Sequence, residues 1–82
     1  MDFVFKRSNR KNKKYAVQVD GQNKWIHFGH TSYEQYKDST PLKLYSHLNH
    51  SDEERRANYK RRHDATRHKK YSASWFADRF LW

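Results

Sequence analysis

Hydrophobic and polar positions alternate through the first third of the chain. In DFVFK, Phe3 and Phe5 share one side, as a half-buried strand requires. The polar, basic run RSNRKNKK follows and suits a loop or hairpin tip. YAVQV then places Tyr15, Val17 and Val19 on one face. Asp20-Gly21, in DGQN, is a turn signal because glycine accepts positive φ cheaply. The return strand KWIHFG sets Ile26 and Phe28 on one face, with Trp25 and His27 on the other. A small antiparallel β-meander is predicted.

Beyond His30 the pattern turns helical. SYEQYK has Ser32 three residues before Gln35, a capping-box spacing. STPLKLYSHLN offers Thr40 as N-cap and Pro41 at the first helical position, with Leu44, Tyr45 and Leu48 at helical spacing. In SDEERRANYKRRH, Ser51 and Glu54 complete a box. Asp52 and Glu53 lie at the positive end of the dipole and Lys60, Arg61 and Arg62 near its negative end. YSASWFADRFLW supplies Ser72 or Ser74 as a cap and a stripe of Trp75, Phe76 and Phe80. No internal repeat occurs. The expected fold is α+β, a single small basic domain over residues 1–82, with short helices packed on the N-terminal meander around an aromatic core.

Composition explains why that core must be aromatic. Hydrophobic residues are 34% of the 82, but aromatics are 17%, and each ring buries more area than an aliphatic side chain. Two Gly and one Pro exclude a flexible-linker composition. Without cysteine there is neither a disulfide framework nor a thiolate zinc site. MDFVFKRSNR holds no long apolar run, so no signal peptide and no membrane span are expected. The expected location is the interior of a cell or a virion, not the secreted space.

Charge is the strongest global signal. Eighteen Lys+Arg against nine Asp+Glu give +9, and the pI is near 10.0. Such a domain attracts phosphate backbones by counterion release and steering. The bases fall in three clusters. Arg10, Lys11, Lys13 and Lys14, together with Arg7, occupy the hairpin loop. Arg55, Arg56, Lys60, Arg61 and Arg62 lie on the helix after Ser51, and Arg67, Lys69 and Lys70 follow it. One such helix could simply be solvated, with Asp52 pairing to Arg56 and Tyr59 dipping into the core. Three clusters in so short a chain exceed what solubility needs.

Other chemistries fit less well. His47, His50 and His63 have a spacing loosely suggestive of metal ligation, but without thiolates they read as structural or phosphate-adjacent, and neither metal nor cofactor is expected. His27, His30, Asn49, His50 and Asp52 include the residue types of a His-Asn-His nuclease, but the helices come in the wrong order and no fitting acidic pair is present. Trp25, Tyr33, Tyr36, Tyr71, Trp75 and Trp82 could stack on bases, whereas Trp75, Phe76 and Phe80 read better as core.

KKYAVQV, WIHFGHTSYEQYKDSTPLKLYSHLNHSDEERRANYKRRH and YSASWFADRFLW, in that order, resemble a family of small basic proteins of unknown function encoded by large DNA viruses and some phages. The similarity runs from Lys13 to Trp82 and leaves DFVFKRSNRK outside. It implies a viral origin and a self-contained domain, and it supplies no catalytic residues. The expected role is therefore a non-enzymatic viral protein of the virion or infected-cell interior. It would grip the nucleic-acid backbone, DNA in preference to RNA, with low sequence specificity. The alternative is a structural or cement protein of the virion whose bases dock on acidic coat-protein surfaces and whose exposed aromatics, such as Trp82, anchor the contact.

Overall fold

The computed structural model describes residues 3–82. Three strands, β1 (Phe3–Arg7), β2 (Tyr15–Val19) and β3 (Trp25–Phe28), form an antiparallel sheet in the order β1-β2-β3. The strand expected in DFVFK forms, with Asp2 outside the described residues. At the Asp20-Gly21 turn the Gln22 N–H donates to the Val19 carbonyl at 3.0 Å, and Gly21 has φ +83°.

Register places Phe5 opposite Val17 and Val17 opposite Ile26, so one face of the sheet is apolar. Helix α2 (Ala73–Phe80) covers it. Phe76 is fully buried, its ring 5.3 Å from Phe3 and 5.8 Å from Phe28, while Phe80 lies 4.8 Å from Phe5. Most of these rings meet edge to face, a geometry that contributes beyond area burial. Ser72 caps α2, accepting from the Trp75 N–H at 3.1 Å. Its last carbonyls find donors in the preceding loop: Lys37 N–H to Leu81 O at 3.0 Å and Ser39 N–H to Phe80 O at 2.8 Å.

Helix α1 (Glu53–Arg62) also forms, with its cap shifted by one residue from the expectation. Asp52, not Ser51, accepts from the N–H groups of Glu54 and Arg55, while Ser51 takes φ +54°. A carboxylate at this position satisfies the orphan donors and meets the helix dipole together.

The middle of the chain departs from the sequence reading. SYEQYK is not a helix, and STPLKLYSHLN yields only one 3₁₀ turn, Ser46–Leu48. A buried polar network replaces both. Asp38 accepts from the Tyr15 hydroxyl at 2.5 Å, from the Thr40 hydroxyl at 2.6 Å and from the Tyr45 N–H at 3.1 Å. The Asn49 side-chain oxygen accepts from Gln35 Nε2 at 2.6 Å and from the Asp38 N–H at 2.8 Å. Thr40 thus bonds an aspartate two residues back instead of capping a helix. Gln35, Asp38 and Thr40 are all buried. Burial of fully partnered polar groups is tolerable, and this network holds a loop that has almost no repetitive backbone bonding.

Candidate functional site

The twelve bases singled out in the sequence occupy three kinds of environment. Arg10, Lys11 and Lys13 are exposed on the β1–β2 loop, as are Arg61 and Arg62 at the end of α1 and Lys69 and Lys70 on the connection to α2. The loop cations crowd the outer face of the sheet. Burial first, and then the charges of Arg10, Lys6 and Lys13, push His27 below its ordinary pKa.

A second group turns inward and docks α1 and the residues that follow it. Lys60 Nζ meets Asp78 Oδ1 at 2.8 Å, and Arg67 approaches the same oxygen at 3.7 Å and Asp64 at 3.1 Å. Arg56 donates from Nε to the Trp82 main-chain oxygen at 2.7 Å and lies over the Tyr36 ring, 4.8 Å from its centroid. It also approaches Glu53 at 3.8 Å, where the solvated-helix alternative paired it with Asp52. Arg55 stays exposed and pairs with Glu34 at 3.0 Å across the surface. With Tyr59 its one buried residue, α1 is held largely by its charges.

Lys14 stands alone and departs from the expectation of an exposed contact. It is 1% exposed, and its ammonium donates to Tyr33 O at 2.7 Å and to Gln35 Oε1. Burial lowers its pKa from 10.5 to about 8, against the opposing pull of the Asp38 carboxylate. Gly29 makes room for it. A Cβ there would lie 3.1 Å from Lys14 Cβ and 3.0 Å from Leu81 Cδ1, and φ is +80°.

Lys14, Arg55 and Arg62 meet at one open groove of about 910 Å³. Its remaining walls include His30, Ser32, Tyr33, Glu34, Tyr59, His63, Leu81 and Trp82. Tyr59 stacks on Trp82 with ring centroids 4.2 Å apart and planes 3° from parallel, and on His63 at 4.3 Å. Tyr33 stacks on His30 at 4.6 Å and is 66% exposed. Lys69 and Lys70 lie outside this lining. Of the histidines considered as ligands, His63 stacks on Tyr59, His50 lies against Trp82 at 5.2 Å, and His47 lies beside Tyr45 at 6.1 Å. Among the described residues no group of three or more His, Asp or Glu is placed to hold a metal ion. No helix of the described residues is long and apolar enough to cross a membrane.

Sequence reasoning named Tyr33 and Trp82 as stacking candidates but missed that His30, Glu34 and Tyr59 join them. The only signal was the aromatic-histidine pairing in HTSY and NYKRRH, which carries no three-dimensional information until the central loop is placed.

Residues 3–63 match the model of a family described as a family of unknown function (DUF5754). The match includes β1, which the earlier resemblance left out, and stops before α2. No curated protein and no solved structure matches the chain.

Proposed function

The chain belongs to this family of unknown function, and from that premise we propose that it is a non-enzymatic protein that binds nucleic acid through the phosphate backbone with low sequence specificity. The carrying observation is the set of exposed cations left over once the structural ion pairs are subtracted. Arg10, Lys11 and Lys13 on the hairpin loop, Arg61 and Arg62 at the end of α1, and Lys69 and Lys70 on the connection to α2 have no carboxylate within ion-pair distance among the described residues. These seven, rather than all twelve bases, are the contacts, with about five engaging phosphates at once. Duplex DNA is the preferred partner, because a net charge of +9 on 82 residues favours a dense phosphate array and no element here resembles a base-reading module. A viral setting, in the virion or the infected-cell interior, is part of the same proposal and comes from the motif resemblance.

The test is a titration of two unrelated duplexes at several salt concentrations. Neutralising about five phosphates gives a log K against log salt slope of about −4 to −5, equal for both sequences. A flat response, or no binding at low salt, rejects the proposal. Stoichiometric copurification with emptied viral shells would favour the cement role instead, since a genome binder leaves with the genome.

A further inference from the structure

Resting on the nucleic-acid reading above, we infer that the groove between the 30–34 loop, α1 and the C-terminal residues accepts an unpaired base of a single strand. Tyr33 is the stacking platform in this assignment, and Arg62 and Arg55 hold the phosphates on either side.

Size comes first. The groove's volume of about 910 Å³ lies within the range of about 300–1,000 Å³ typical of small-molecule sites, ample for one nucleotide but not for a duplex. The walls are chemically divided. Rings gather as two stacks, His30 on Tyr33 and Trp82 on Tyr59 and His63. Tyr59 is used up inside its stack and buried, whereas Tyr33 stacks on His30 and still keeps 66% of its surface exposed. A large exposed aromatic that contributes little to the core calls for a partner with a flat, weakly polar face, and every nucleobase has one.

The charges supply the rest. Lys14, Arg55 and Arg62 line the groove against one side-chain carboxylate, that of Glu34. Glu34 occupies Arg55 at 3.0 Å, with both side chains about half exposed, so a strand's phosphate can take over the guanidinium without breaking a buried pair. Arg62 has no carboxylate within ion-pair distance among the described residues and meets the incoming backbone directly. Lys14 fixes the platform from below, because its ammonium holds the Tyr33 carbonyl at 2.7 Å.

The experiment compares three labelled probes of equal length by fluorescence anisotropy: a single strand, the same strand lacking its bases, and the duplex. The strand with bases binds about tenfold or more tightly than the abasic strand, the increment expected of one or more stacked bases. Tyr33→Ala abolishes that difference and Tyr33→Trp keeps it, while duplex binding is unchanged in both. The bond from Lys14 goes to the main chain at Tyr33, so the alanine variant retains it, and an unshifted melt confirms the fold. Glu34→Gln, which frees Arg55, tightens the single strand and not the duplex. Equal binding of strands with and without bases, or a Tyr33→Ala variant that loses nothing, overturns the base groove while duplex binding stands. Failure of all three probes to bind at low salt rejects the nucleic-acid reading itself.

Discussion

Lys14 shows how little residue type alone decides. Four of the five residues from Arg10 to Lys14 are basic, yet only Lys14 is buried, because the strand that begins at Tyr15 starts turning side chains toward the core one position earlier. Its pKa of about 8 lies below the ordinary 10.5, so between these values the unfolded chain binds the proton more fully than the folded one. Stability therefore rises with pH across that window. Tyr15 and Tyr59, both pushed up to about 12 chiefly by burial, act the other way only above pH 10. Thermal melts between pH 8 and 9.5 should show a rising midpoint, and Lys14→Met should flatten the profile. A parallel pair of changes measures the core. Phe76→Ala should cost about 3–5 kcal/mol, as expected for a fully buried ring. Trp75, half-buried with Arg79 over its face at 5.3 Å, should cost about 1–2 kcal/mol when truncated, because less area returns to water. Equal losses in denaturant titrations would contradict the packing described.

At the scale of elements, α1 is a helix docked by charge. Arg56 reaches the Trp82 main chain and the Tyr36 ring, whereas Arg61 and Arg62 point to solvent. Arg56→Ala should destabilise by about 1 kcal/mol or more, through lost packing as well as a lost charged hydrogen bond. The double change Arg61→Ala and Arg62→Ala should leave melting within about 0.5 kcal/mol of the parent while weakening polyanion binding. Comparing melts with binding curves separates the two roles that a single basic helix had seemed to combine. The strands and both long helices were legible in the sequence because local signals set them: Phe3 with Phe5, Tyr15 with Val17, Gly21 at its turn, Ser72 at its cap. The central loop was not. Ser32, Thr40 and Gln35 look like capping residues, and the same side chains can bond nearby backbone or each other in a loop instead. Which outcome wins here depends on Lys14 and Tyr15, more than twenty positions away, whose ammonium and hydroxyl find Gln35 and Asp38. The basic clusters were readable as a surface in the same way, but the division between docking and free cations required Asp78, Glu34 and the Trp82 main chain to be in place.

For the molecule as a whole, the polar network and the aromatic core are two halves of one construction. Tyr15 belongs to both: its ring lies 5.8 Å from Phe28, and its hydroxyl donates to Asp38 while accepting from the Leu44 N–H at 2.8 Å. Burial would raise Asp38, but the hydrogen bonds from Thr40, Tyr15 and the backbone outweigh it and hold its pKa below the ordinary value. The groove wall at Tyr33 and Glu34 is thereby fixed by the same groups that complete the core. Phe3 extends the argument to the order in which the molecule comes together. Its ring touches Tyr71, Trp75, Phe76 and Phe80, so the first strand finds its cover only in the last helix. Closing so long a stretch of chain precedes any gain from the contact, which slows folding relative to a protein built from neighbours in sequence. During synthesis the meander would emerge with its apolar face bare and wait for α2 to leave the ribosome. The core thus closes only when α2 is in place, and the groove, lined by Leu81 and Trp82 just beyond that helix, is completed in the same step.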